Sequence, residues 1–301
     1  MAMEFTGLLQ AADAAVFEGQ RRAVFLGQAM ASFISEEDKP LFGDRTFDGI
    51  PTMVTRRELA FLLNFFSSIP VSGDVLEIGS YLGGSTGAIG RGLARAGFSG
   101  SYYVLDSFKW ADEGFVNCLK QDCSKLNLSD GARAETNHGA WLKAFEEIHA
   151  TKPYATFLSP HRALIPYGNE DATFPISAHV PAGKQIGAVF IDGFKSWSAT
   201  YAGMTALAPY LSTGSLLIFQ DFSWIDCDWL PVLARYLHGK MSLWMKIDNT
   251  AIFRLDDANI SPCLKLFASQ PDPNKYDFYA EELKSWASAM YHSGDVTPLS
   301  G

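Results

Sequence analysis

Three charged residues stand where apolar runs stop. Ile186-Gly187-Ala188-Val189-Phe190-Ile191 ends on Asp192, with Lys195 three residues further on, and the run Ser215 to Phe219 ends on Gln220-Asp221. In open α/β sheets ligands bind at the carboxyl ends of the strands, so two acids there belong to the expected chemistry. A second set lies upstream, in residues 74–106: DVLEIGSYLGGSTGAIGRGLARAGFSGSYYVLD. Glu77, Gly79, Tyr81, Gly83 and Ser85 alternate through a Gly-rich turn, and Asp106 closes the next apolar run. The glycines let the backbone pass close to a ligand without a Cβ in the way. An acid at a strand tip is placed to accept hydrogen bonds from both hydroxyls of a ribose.

The elements that must position these residues are legible in the same stretch. Val75, Leu76 and Ile78 form a short apolar run that predicts a buried strand. Ser85 to Arg95 predicts a helix with Ile89 and Leu93 on one face, and Tyr102 to Leu105 predicts the next strand. Strand, glycine turn, helix, strand and acid make a nucleotide-handling βαβ unit. A dinucleotide site would carry G-x-G-x-x-G, which is absent because Ser80 follows Gly79. The Glu77 carboxylate would repel a pyrophosphate but suits a ligand with an ammonium and a sulfonium.

The pattern Glu77-x-Gly79-x-Tyr81-x-Gly83-x-Ser85 resembles motif I of the class I S-adenosylmethionine-dependent methyltransferases. Its lettering is most similar to the catechol-type and macrocin O-methyltransferase-like groups. The resemblance covers about Met53 to Leu255 and implies a Rossmann-like α/β fold, a seven-stranded mostly parallel sheet with helices on both faces. It also implies S-adenosylmethionine as cofactor, bound by Glu77 at the amino-acid end, Asp106 at the ribose, and the turn through Gly79, Tyr81, Gly83 and Ser85. Ser159 and His161, after an expected strand Ala155 to Leu158, fall near the adenine.

Asp192-x-x-Lys195 resembles the catechol and caffeoyl-CoA O-methyltransferases, where the acid binds Mg²⁺ and the lysine is the base. Asp192 and Lys195 are thus the implied catalytic residues, and Asp192 with Asp221 the implied Mg²⁺ ligands. Mg²⁺ prefers hard oxygens, so two carboxylates and a substrate diol would fit. Phe194 and Trp197 offer apolar walls that would lower the Lys195 pKa. In the macrocin-like group the same stretch carries a histidine where Lys195 stands. Phe222 occupies the place of the usual third ligand, and Gln220 tends to point the other way along its strand. Metal dependence is therefore open.

The remaining chain sets the frame. With 301 residues, 48% of them hydrophobic, it can bury one large α/β domain. A net charge of −9 without a Lys/Arg cluster argues against a nucleic-acid partner. There is no membrane-length apolar run and no signal-peptide core, which predicts a cytoplasmic protein. The four cysteines lack zinc spacing and are expected to be reduced thiols.

The expected divisions are a helical cap over 1–52, the methyltransferase core over 53–256 and a helical extension over 257–301. Within the cap, two short helices precede a linker with turns over 36–51. Thr55 with Glu58 forms a capping box for the next helix. Residues 109–137 and 165–185 are insertions, the first either solvent-facing or a lid. A helix is expected from about Ser198 to Leu211, and a hairpin closes the sheet over Met241–Ile247 and Thr250–Leu255. A tail helix over 276–291 would pack on the core or on a second copy in a homodimer. The sequence thus points to methyl transfer onto a hydroxyl of a small molecule. The alternative is a methyltransferase fold that binds the cofactor but methylates nitrogen or does other chemistry.

Overall fold

The computed structural model describes residues 22–165, 174–222, 227 and 229–269. The helical pattern through Leu8, Ala12 and Val16, the turn at Pro271 and Pro273, and the helix expected over 276–291 lie outside them. Helix α1 covers 22–32. Next come three two-residue strands, β1 (Phe42–Gly43), β2 (Thr46–Phe47) and β3 (Ile50–Pro51), in an antiparallel meander. This corrects the linker expected over 36–51. The turn Asp48-Gly49, with φ of 53° and 78°, is a two-residue hairpin connection, the geometry that Asp-Gly favours.

Helix α2 (Arg56–Ser68) begins with the expected capping box, Thr55 and Glu58 each accepting from the other's backbone N–H. The seven-stranded sheet follows: β4 (Asp74–Ile78), β5 (Tyr102–Asp106), β6 (Leu158–Arg162), β7 (Ile186–Ile191), β8 (Leu216–Phe219), β9 (Met241–Ile247) and β10 (Thr250–Leu255). Their order is β6-β5-β4-β7-β8-β10-β9, and β10 runs antiparallel to both of its neighbours. Strand order reverses between β4 and β7, so the ligand crevice of this fold opens at the carboxyl ends of those two strands.

The central parallel strands β4, β5, β7 and β8 are buried on both faces, which explains their unbroken apolar runs. One face packs on α2, α3 (Gly84–Arg95) and α6 (Leu142–His149); the other packs on α7 (Trp197–Leu207), α8 (Trp229–Tyr236) and α9 (Ser261–Ala268). Helix α8 was not foreseen, and α9 falls within the helical extension expected over 257–301. Residues 109–137, expected as a solvent-facing insertion or a lid, fold into α4 (Glu113–Ser124) and α5 (Asp130–Thr136), which bury only Leu119, Cys123, Ala132 and Thr136. None of the described helices is long and apolar enough to cross a membrane.

Strand β6 starts where the sequence expectation ended it. Residues 151–157 are turns that pack Tyr154 and Phe157 inward, and pairing with β5 begins at Leu158. Pro160 is tolerated because β6 is an edge strand.

Helix α3 sits at the centre of three close approaches, which accounts for its glycines. A Cβ on Gly84 would lie 2.3 Å from Thr52, on Gly90 2.5 Å from the Tyr154 ring, and on Gly92 2.7 Å from Phe66. The small sheet is tied to α3 by charge as well: the Asp48 carboxylate accepts from Arg91 at 2.7 Å and from Lys152 at 2.8 Å. Gly90→Ala should therefore lower stability by about 1–3 kcal/mol through overpacking, seen as a drop in Tm, and should be non-additive with Tyr154→Leu. Equal melting of Gly90→Ala and wild type would mean that helix and ring are not in contact.

Candidate functional site

The site is built on the turns that leave β4 and β7. Ile78 pairs with Ile191, so Gly79 and Asp192 emerge side by side. The Asp192 amide donates to the Ile78 carbonyl at 2.8 Å. Gly79 has φ 81°, and a Cβ there would lie 3.0 Å from Asp192 and Gly193 backbone atoms. Glycine is required on both counts.

Asp106, at the tip of β5, holds the turn in shape. Its Oδ2 accepts from the amides of Ser80 (2.7 Å) and Tyr81 (3.1 Å), and its Oδ1 from the amide of Phe108 (2.9 Å). A hydroxyl adds to each oxygen, Ser80 Oγ at 3.2 Å and Ser107 Oγ at 3.3 Å. Burial raises the Asp106 pKa, against the pull of these amide bonds.

Glu77 is turned away from the crevice, contrary to the expected contact with a ligand's amino-acid end. It is fully buried beneath α3, accepting from Ser85 Oγ (2.6 Å), Thr86 Oγ1 (2.7 Å) and Tyr102 OH (2.5 Å). Burial pushes its carboxyl up to about 7 despite these bonds. Ser85 is thereby committed to Glu77. Gly83 is the N-cap of α3 with φ 91°, and a Cβ there would strike His149 Nε2 at 2.1 Å.

His149 escaped the sequence reading. It is buried, bonded to Tyr154 OH at 2.8 Å and to the Leu82 carbonyl at 3.2 Å, and burial lowers its pKa to about 3. The ring is therefore neutral and supports the turn from below. Tyr81, with φ 53°, donates its hydroxyl to Asp122 of α4 at 3.0 Å, and its ring meets Phe115 and Trp141 edge-on. The 109–137 segment thus docks directly on the glycine turn.

Ser159 and His161 lie within β6, not beyond it. They bond to each other at 2.8 Å, and the His161 ring stacks on Tyr103. Arg162 is the residue level with Asp106.

On the other side of the crevice Lys195 bridges both expected acids, 2.5 Å from Asp192 Oδ1 and 2.6 Å from Asp221 Oδ2. The three side chains keep 26–29% of their surface exposed, so the trio is open to solvent at the carboxyl ends of the strands. Burial would lower the Lys195 pKa, but the two carboxylates outweigh it and raise it above its ordinary value. This reverses the expected shift towards neutrality: Lys195 is an ammonium. Burial raises Asp192 to about 6, opposed by Lys195 and assisted by Asp221.

Asp221 is held by its neighbours in an unusual backbone state, φ 60°. The Phe222 amide donates to the Asn249 carbonyl at 2.8 Å, and the Asn249 amide donates to Glu58 Oε1 at 3.1 Å. Glu58 also accepts from Thr250 Oγ1 at 2.9 Å, and Gln220 shares that hydroxyl at 2.5 Å. Sequence reading saw Glu58 only as a helix cap; its second carboxylate oxygen fastens α2 to the β10 turn.

Residues 76–222, just under half of the chain, match the family described as Methyltransferase domain. With the strand order, the match gives this stretch a Rossmann-like methyltransferase fold. None of the curated proteins compared with the chain matches it in sequence. Among solved structures, the O-methyltransferase NovP is 16% identical, with 81% of this chain and 99% of that one covered and a TM-score of 0.45. A TDP-rhamnose 3'-O-methyltransferase of calicheamicin biosynthesis is 17% identical over 66% and 78% of the two chains, TM-score 0.38. An O-methyltransferase from Bacillus cereus in complex with SAH is 14% identical over 78% and 98%, TM-score 0.36.

The buried Glu77 gives a test by pH. Its carboxyl stands near 7 in the folded protein against 4.5 ordinarily, so between these values the folded chain keeps a proton that the unfolded chain has lost. The stabilisation is complete below the lower value and is lost as pH rises through the upper, a change on the order of 3 kcal/mol. The stability difference between wild type and Glu77→Gln should therefore shift against wild type from about pH 4.5 to 7 in denaturant titrations. A difference independent of pH would show that Glu77 is ionised throughout.

Proposed function

We propose that this chain transfers a methyl group from S-adenosylmethionine to a hydroxyl of a small molecule. The observation that carries the reading is the Asp192–Lys195–Asp221 trio at the carboxyl ends of β7 and β8, beside the Gly79 turn. Two carboxylates with one ammonium leave the crevice wall negative, a surface suited to a cationic methyl donor. When bound, S-adenosylmethionine supplies the methyl group as an activated sulfonium.

Asp106 fits the ribose by the pattern of its bonds. Its two longest contacts are to the hydroxyls of Ser80 and Ser107, one on each oxygen. A ribose diol can take those two places while the three amide bonds continue to hold the turn. The half-buried rings of Tyr81, Trp110 and Phe115 line the neighbouring side of the turn, and Trp110 and Phe115 stack at 4.3 Å. Ser159 and His161, on β6, belong to the adenine side in this reading.

At the acceptor, the proton goes to a carboxylate. Lys195 is held as an ammonium, so it donates to the acceptor oxygen instead of taking its proton. Asp192, raised to about 6, is a stronger base than an ordinary carboxylate and stands next to the turn. Holding donor and acceptor in line contributes most of the remaining acceleration.

Calorimetry should find S-adenosylmethionine binding that weakens at least ~10-fold, about 1.4 kcal/mol, in Asp106→Ala. Absence of affinity in the wild type would remove the reading. Asp192→Asn should lower turnover by about 10²–10⁴ while cofactor affinity falls far less than turnover. Acceptor chemistry can be read directly by NMR with ¹³C-methyl-labelled cofactor and mixed hydroxyl and amine acceptors. An O-methyl resonance is expected; an N-methyl resonance alone would transfer the reading to nitrogen.

A further inference from the structure

The resemblance that implies methyl transfer also implies a Mg²⁺ between Asp192 and Asp221, and the residues present do not fit one. Lys195 bonds one oxygen of each acid, at 2.5 and 2.6 Å, and so occupies the bridging position that a cation between them would take. The place of a third ligand, directly after Asp221, is Phe222, buried among Phe219 and Phe253. The amide of Gln220, the other candidate, is engaged with Thr250 and Glu58 on the far side of its strand. Among the described residues no group of three His, Cys, Asp or Glu side chains converges on a metal-sized position.

We infer that the Lys195 ammonium is the resident cation of this site and replaces the divalent metal. The inference rests on the trio being the methyl-transfer site. Its charge of +1 against the two carboxylates satisfies one oxygen of each through hydrogen bonds, where a dication would use coordination bonds. The consequence for the acceptor is specific. A metal offers two or more open positions and favours a chelating vicinal diol, whereas the Lys195 ammonium, with two of its three N–H bonds given to the acids, has a single hydrogen bond left to donate. The acceptor class is therefore a molecule with an isolated hydroxyl, with no requirement for a second hydroxyl beside it.

Mn²⁺ serves as the probe, because its free and bound forms are distinguished by electron paramagnetic resonance. Titrated into the purified full-length protein, it should remain free with wild type. Lys195→Ala should bind one Mn²⁺ between the bared acids, and Lys195→Ala/Asp221→Asn should lose it again. Lys195→Gln provides a second vacated variant should the alanine form melt early.

Wild-type protein that binds one Mn²⁺, and loses it in Asp221→Asn, would overturn the inference. Silence in the wild type and in both vacated variants would overturn it too, since the lysine would then not be what excludes the metal. Calorimetry with S-adenosylmethionine on the same samples keeps the two readings apart. Loss of cofactor affinity in wild type counts against the proposed function, whereas the Mn²⁺ pattern bears only on the cation.

Discussion

The contact on which the site depends is backbone against backbone. Gly79, leaving β4, lies so close to Asp192 and Gly193, leaving β7, that a side chain could not be inserted. Because the two turns touch, the first acid of the site stands beside the glycine turn without any flexible connection. Lys195, three residues on, reaches back to that acid and across to Asp221 on the next strand. The site is thus assembled from the ends of three strands whose relative positions the parallel ladder fixes.

Each turn is then held from beneath. Under the glycine turn, the neutral His149 and the buried Glu77 fill the space below α3, one bonded to the Leu82 carbonyl and the other to three hydroxyls. Under Asp221, the Glu58 network couples the start of α2 to the turn into β10. Buried polar groups are costly unless satisfied, and each of these carboxylates has its partners. The rigidity gained suits a reaction in which donor and acceptor must be held in line, since misplacement by an ångström is expensive in rate.

Much of the fold was legible in the sequence because local signals agreed with one another. The Thr55–Glu58 box, the apolar runs of β4, β5, β7 and β8, the glycine turn and the Asp248-Asn249 hairpin all carry their own periodicity or turn chemistry. The small sheet was missed because Asp48-Gly49 sits among charges and prolines that also describe a linker. The edge strand β6 was misplaced because Tyr154, Ala155 and Phe157 are apolar for packing in turns and not for pairing. At the site, residue identity was legible but charge state was not. The Lys195 pKa depends on Asp221, 26 residues away in sequence, closing on the same ammonium. Likewise nothing local tells that Glu77 meets Tyr102 and turns its back on the crevice.

The most direct test of this account is a crystal structure of the protein with S-adenosylhomocysteine, grown with Mg²⁺ present. The account requires the ligand in the crevice between the Gly79 turn and Asp192. Its ribose hydroxyls should lie on Asp106 in the places of the Ser80 and Ser107 hydroxyls, and Lys195 should still bridge Asp192 and Asp221. A ligand bound elsewhere, or a metal between the two acids with Lys195 swung clear, would contradict it.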